Sequence, residues 1–179
     1  MLYSFGQPAD GIVQMAYIVE DIETEAKKWV EDMKVGPWFV LESFRGDDAV
    51  YRGGPSLAEV RVAMASAGHM NIEFIQPKDD HPSVYREIRD TAGFGFHHIG
   101  VASTDFEKEM QAMEAKGYEL AFKARVPSGD WVAYYDTKGE LPFFIELMQS
   151  GAGLDQLFGM VYRAAINWDG KDPIRPMAF

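Results

Sequence analysis

Three polar side chains interrupt stretches whose other members belong in a core. Gln14 is the only amide or charged residue between Gly11 and Glu20, Glu73 stands between Ile72 and Phe74, and Glu146 stands between Ile145 and Leu147. An amide buried without a partner costs roughly 1–3 kcal/mol, and a lone buried carboxylate costs more or takes up a proton. Each of the three therefore needs a partner. A weak internal repeat supplies a fourth member. Setting Asp21 on Asp105 aligns Glu23 with Glu107 and Glu25 with Glu109, and it places Gln14 on His98. Neighbouring strand residues face opposite sides, so His97 and His98 are not both expected to point inward, and the repeat selects His98. Taken singly, a Gln or Glu in a strand more often faces solvent or bonds nearby backbone. The joint placement favours a shared site, with one member from the first strand and one glutamate from the last strand of each half.

Gln14, Glu73, His98 and Glu146 together form a set that suits one divalent cation. Two carboxylates balance its charge, and a neutral amide and an imidazole complete the protein ligands. Three oxygen donors and one nitrogen fit Zn²⁺, Mn²⁺, Co²⁺, Ni²⁺ or Mg²⁺ and leave positions for water or substrate oxygens. Tyr17, Trp38, Phe39, Tyr135 and Phe144, with Tyr134, are candidates to line a substrate cavity, although aromatic strand residues more often serve as ordinary core. Arg45, Arg52 and Arg125 near strand ends could meet an anionic substrate group, against the commoner reading of solvated surface arginines. His69, His81 and His97 have no implicating spacing, and Gly53-Gly54 lacks the Lys-Ser/Thr of a phosphate loop.

The elements that must position these residues repeat as well. Ile12 to Val19 reads as a strand, and Ile22, Ala26, Trp29, Val30 and Met33 follow at the spacing of a buried helical face. Phe96 to Ala102 and then Phe106, Met110 and Met113 repeat that order, with Thr104 and Glu107 as a capping-box pair and Gly117 as the stop. Strand-like runs follow each helix: Trp38 to Phe44, Val60 to Ala65 and Met70 to Ile75, then Tyr118 to Val126, Trp131 to Tyr135 and Phe143 to Met148. The fold class is α+β, with two βαβββ modules at about 11–77 and 94–149 and a linking helix at about 80–92 that carries Pro82 in its first turn. Residues 1–150 are expected to form one domain. Leu154, Leu157, Phe158, Val161, Ala165 and Trp168 predict an amphipathic helix in a 151–179 extension, which either covers the cavity or forms a dimer interface.

With 179 residues, 47% of them hydrophobic, the chain has ample material for a core. Its 17 basic and 28 acidic residues give a net charge of −11, which argues against nucleic acid or an anionic membrane as partner. The absence of Cys removes disulfides, thiolate zinc sites and a cysteine nucleophile together. No apolar run approaches the roughly 20 residues of a membrane span, and no signal peptide is legible, so the cytoplasm is the expected compartment.

The segments QMAYIVEDIE, NIEFIQP, FHHIGVASTDFE and YYDTKGELPFFIELM resemble, in that order, the signature segments of the vicinal oxygen chelate superfamily, the glyoxalase, bleomycin-resistance and dioxygenase group. The likeness spans about Gly11 to Gln149. It implies paired βαβββ modules in a mixed sheet curled around a metal site, with the ligands carried onto Gln14, Glu73, His98 and Glu146. YYDT, FFIELM and HPSVYREI look more like the methylmalonyl-CoA epimerase-like branch, although that branch usually has His where Gln14 stands. The set Gln, Glu, His, Glu is instead similar to that of eukaryotic glutathione-dependent glyoxalase, without a match to its glutathione-binding residues. A dioxygenase would use two His and one carboxylate for iron, so oxygen chemistry is disfavoured. The expected activity is that of a metal-dependent isomerase or epimerase on a small-molecule carbonyl substrate, an acyl-CoA-like compound being one candidate. The chemistry of those branches implies an ion that polarises the carbonyl and stabilises the charge left when the adjacent carbon loses its proton, with Glu146, loosened from the metal, as the expected base and Glu73 as the reserve candidate. A glyoxalase-type lyase and a non-catalytic, ligand-sequestering protein are the alternatives, and family habit implies a homodimer.

Overall fold

Val13, Gln14, Ala16 and Ile18 are buried on both faces of a central strand, β1 (Ile12–Ile18), in the computed structural model, which describes residues 1–177. Asp21 starts α1 (Ile22–Met33) with its carboxylate, which accepts the Thr24 amide at 2.8 Å. β2 (Trp38–Phe44), β3 (Asp47–Tyr51), β4 (Gly54–Pro55), β5 (Val60–Ala67) and β6 (Met70–Pro77) follow. Ser83 then caps α2 (Val84–Ala92), so Pro82 precedes the helix instead of lying in its first turn. The second half comprises β7 (Gly95–Ser103), α3 (Phe106–Ala115), β8 (Glu119–Arg125), β9 (Trp131–Asp136) and β10 (Phe144–Gln149). The expected capping box is not formed. Asp105 stands at the start of α3 without a side-chain hydrogen bond, which leaves Thr104 one residue too early.

All strands join one 11-stranded mixed sheet in the order β11-β2-β5-β6-β1-β7-β10-β9-β8-β3-β4. The first strand of each half lies parallel to its last, β1 to β6 and β7 to β10, and the halves meet through the antiparallel β1–β7 pair. The two repeats therefore pair within one chain, which their sequences left open. α1 packs Ile22 and Ala26 on one face of the sheet against Trp38 and Phe74, and α3 packs Phe106 and Met110 on Tyr135 and Leu147. The opposite face receives α2 and the tail helix α4 (Ala152–Ala165), whose Leu154 and Phe158 join Tyr85, Tyr134 and Met148. After α4, β11 (Ile174–Pro176) adds a parallel strand to β2, an element the helical reading of the tail did not include. No helix among the described residues is long and apolar enough to cross a membrane.

β3 and β4 carry the first half across to the edge of the second. Arg52, in a left-handed conformation (φ 47°) after β3, fastens that excursion. Its guanidinium donates to Glu87 at 2.6 and 3.0 Å, to Glu119 at 2.6 Å and to Asp136 at 2.8 Å, which ties α2, β8 and β9 together. Arg52→Met leaves three acids facing one another. It should lower stability in urea by about 1–2 kcal/mol, partly recovered in high salt because the pocket is half open to solvent. Equal losses at low and high salt would assign the role of Arg52 to packing.

Candidate metal and substrate site

Strand register brings the four polar residues to one face. Gln14 lies opposite Gly100, Ala16 is flanked by Glu73 and His98, and Gly100 is flanked by Gln14 and Glu146. Gln14, Glu73, His98 and Glu146 are 1%, 7%, 0% and 4% exposed, so solvent does not offset their polarity. Contrary to the alternation argument, His97 is buried beside His98. β7 uses two residues, His98 to Phe96, where β1 uses one, Ala16 to Tyr17, and this bulge turns both rings inward.

Hydrogen-bond accounting fixes what His98 presents. The Val84 carbonyl can only accept, so His97 Nε2, 3.1 Å away, carries the hydrogen. Burial, and then the facing His98, hold His97 well below the ordinary imidazole range, which keeps it neutral with a lone pair on Nδ1. That lone pair accepts from His98 Nδ1–H at 2.8 Å. A neutral His98 consequently aims an unprotonated Nε2 at Glu146 Oε2 (3.1 Å), Gln14 Oε1 (3.3 Å) and Glu73 Oε2 (3.6 Å). Gln14 is oriented by its own amide hydrogen, donated to Asn71 Oδ1 at 3.1 Å. Glu146 Oε2 is fully buried and accepts no hydrogen bond.

Four electron-pair donors thus converge, and a cation among them, a shared proton or a metal ion, relieves their repulsion. By spacing alone, no group of three or more His, Asp or Glu among the described residues forms a metal cage. The fit of an ion accordingly rests on the donor set and on the orphaned carboxylate oxygen. Burial, and then the charge of Glu146, push the Glu73 carboxyl well above its ordinary range. The hydroxyls of Tyr85 and Tyr134 are also raised, by burial first and by the two glutamates next, and both remain protonated donors.

Gln14, Glu73 and Glu146 reach a cavity with about 80 Å³ of room for water, walled by Leu41, Val62, Met64, Ile75, Met148 and the α4 residues Leu154, Leu157 and Phe158, while His98 is fully buried behind them. Tyr85 and Tyr134 line it. Tyr17, Trp38, Phe39, Tyr135 and Phe144 are not among its lining residues. Tyr17 and Trp38 pack on the α1 side and Tyr135 on the α3 side. Phe39 lies under the far end of α4 with Val161 and Met177, and Phe144 sits 5.3 Å from the His97 ring. Parity explains the exchange: Tyr134 pairs directly with Glu146 and shares its face, so Tyr135 must face away. Tyr85 carried no signal because it sits on the linking helix, and Asn71 was missed although it stands two residues before Glu73 on the same strand face. Arg45 is paired with Glu59, Arg52 with three acids, and Arg125 with Asp48 while it covers the Trp131 ring.

Gly100 makes room for this arrangement. A Cβ there would stand 2.9 Å from Gln14 Cβ, 3.1 Å from Gln14 Oε1 and 3.0 Å from the Met148 sulfur. Gly100→Ala is expected to displace the Gln14 amide and weaken divalent-metal binding about tenfold, although residue 100 contributes no donor. Unchanged Mn²⁺ affinity by calorimetry would remove Gln14 from the donor set.

The glyoxalase/bleomycin resistance protein/dioxygenase superfamily model matches residues 13–135. Among solved structures, a hypothetical protein from Bacillus halodurans superposes with TM-score 0.60 at 17% identity, over 80% of this chain and 96% of that one. The methylmalonyl-CoA epimerase of Mycobacterium tuberculosis gives 0.58 at 16% identity, over 82% and 91%. A methylmalonyl-CoA epimerase in complex with methylmalonyl-CoA and NH4+ gives 0.57 at 14%, over 80% and 96%. At these identities the likeness is one of fold. A comparison with curated proteins gave no match.

Proposed function

From a chain that belongs to the glyoxalase/bleomycin resistance protein/dioxygenase superfamily, we propose a divalent-metal-dependent isomerase or epimerase that removes a proton from the carbon next to a carbonyl. The observation that carries this reading is the convergence of Gln14 Oε1, Glu73 Oε2 and Glu146 Oε2 on the buried His98 Nε2, with Gln14, Glu73 and Glu146 themselves lining an apolar cavity. These four residues would hold the ion. Once bound, a divalent ion supplies Lewis-acid polarisation of the substrate carbonyl.

The remaining work falls to the chain itself. Glu146, which lines the cavity, takes the carbon-bound proton, with Glu73 as the alternative base. Tyr85 and Tyr134, kept protonated by burial, are placed to donate hydrogen bonds to substrate oxygen. His97 acts through His98 by holding its ring in the Nδ1–H tautomer. α4 excludes water over the floor. Residues 1–150 form the metal-binding domain in this reading, 151–179 are its extension, and the working form is a homodimer.

The test combines metal content with proton exchange. One equivalent of Mn²⁺, Co²⁺ or Zn²⁺ per chain, lost in His98→Ala, together with solvent deuterium entering a carbonyl compound next to its carbonyl, is the expected result. Metal bound without exchange would favour a ligand-sequestering role. Conversion of a hemithioacetal with net rearrangement would favour a glyoxalase-type lyase. No bound metal would overturn the reading.

A further inference from the structure

We infer that this cavity selects an uncharged, largely apolar carbonyl compound and rejects carboxylated or phosphate-bearing substrates, acyl-CoA thioesters included. The inference rests on the cavity being the substrate site of the function proposed above, and it narrows the substrate class.

Among the described residues, no Lys, Arg or His lines the cavity. Its charged members are Glu73 and Glu146 at the floor and Asp130 toward the segment 126–130. Two carboxylates already balance a divalent ion, so the loaded floor has no surplus charge for a substrate anion. The walls are aliphatic, and an anion entering them would shed water without gaining a counter-charge.

The positive groups nearby are committed elsewhere. The amino terminus of α4 would ordinarily attract an anion, but the Asp130 carboxylate already lies beside it and opposes a second negative charge there. Its carboxylate oxygens stand 2.6 Å from where a Cβ on Gly151 or Gly153 would lie, and Ser128 Oγ donates to the same carboxylate at 2.7 Å. Lys123 and Arg125 lie 4.7 and 4.4 Å from the Trp131 ring centroid and pair with Glu107 and Asp48. A net charge of −11 opposes an incoming polyanion further.

A matched pair of probes isolates charge from shape: 1-phenylpropane-1,2-dione is neutral, and phenylglyoxylate replaces its methyl ketone with a carboxylate. Binding to the full chain is read from the Trp131 indole NMR signal, with and without Mn²⁺-equivalent diamagnetic Zn²⁺, and methylmalonyl-CoA serves as a third probe. The dione is expected to bind at least tenfold more tightly than phenylglyoxylate in both forms, with no shift from methylmalonyl-CoA. Leu157→Lys, which places a cation in the wall, should reverse the ratio, and Leu157→Gln should preserve it. Equal or tighter binding of either anion, or no binding of the dione, overturns the inference. Binding of methylmalonyl-CoA with deuterium exchange at its α-carbon would sink this inference and leave the isomerase reading standing. Binding of the dione, with no carbonyl compound ever exchanging, would do the reverse.

Discussion

Glu73→Gln should stabilise the metal-free protein and destabilise the metal-loaded one. In the metal-free state two carboxylates share a buried site, and burial together with the charge of Glu146 raises the Glu73 carboxyl well above its ordinary value of 4.5. Such a group folds most easily with its proton on. Its contribution is fully present below the unfolded value near 4.5 and is lost as pH rises toward the folded one. Metal-free wild type should therefore lose stability above that point, relative to the Gln variant. The gap should reach about 1–3 kcal/mol at neutral pH.

Surface carboxylates contribute the opposite slope. Lys78 and Arg45 hold Glu59 at about 2, and Arg61 holds Glu23 below its ordinary range, so both stabilise the fold above their unfolded values and fail as pH falls. Because both proteins share these groups, the difference between their urea curves from pH 5 to 8 isolates Glu73. Saturating Mn²⁺ should invert the sign, since Gln offers one neutral oxygen where the ion favours a charged one. A variant less stable with and without metal would mean that Glu73 is held by contacts other than those with Glu146 and His98.

Glu146→Gln should reduce solvent-deuterium incorporation into substrate by about 10²–10⁴-fold, the usual scale for loss of a positioned base. The variant keeps an oxygen in place of Oε1 and fills nearly the same volume, so the fold and much of the metal site should survive. Metal affinity is expected to fall as well, which requires the comparison to be made at saturating metal. The pattern sought is a collapse of kcat with modest change in KM, because the missing group acts on the proton in flight and not on the bound ground state. Exchange at an unchanged rate would transfer the role to Glu73.

The convergence of the four candidate residues could be anticipated from the sequence. Polar residues in apolar strands carry a large desolvation cost, and that cost marked Gln14, Glu73 and Glu146. The repeat added His98, which the structure sets within 3.6 Å of all three. The helix over Ile22–Met33 and the strand over Trp38–Phe44 follow from periodicity, because one buried face imposes its spacing on the residues that fill it. The same logic misplaced the aromatic residues. A large ring signals burial without saying on which side, and only the pairing of Tyr134 with Glu146 decides that Tyr134 lines the cavity while Tyr135 supports α3.

What the chain determined by itself was therefore the inventory of costly polar groups and the local periods that organise them, since both depend on residues near one another in sequence. Register, the bulge that turns His97 inward, the pairing of the halves within one chain, the crossing of α4 over the floor and the added strand at Ile174–Pro176 were decided only in three dimensions. Those features are contacts between segments tens of residues apart. Their energies depend on which face meets which, and no local window of sequence contains that information.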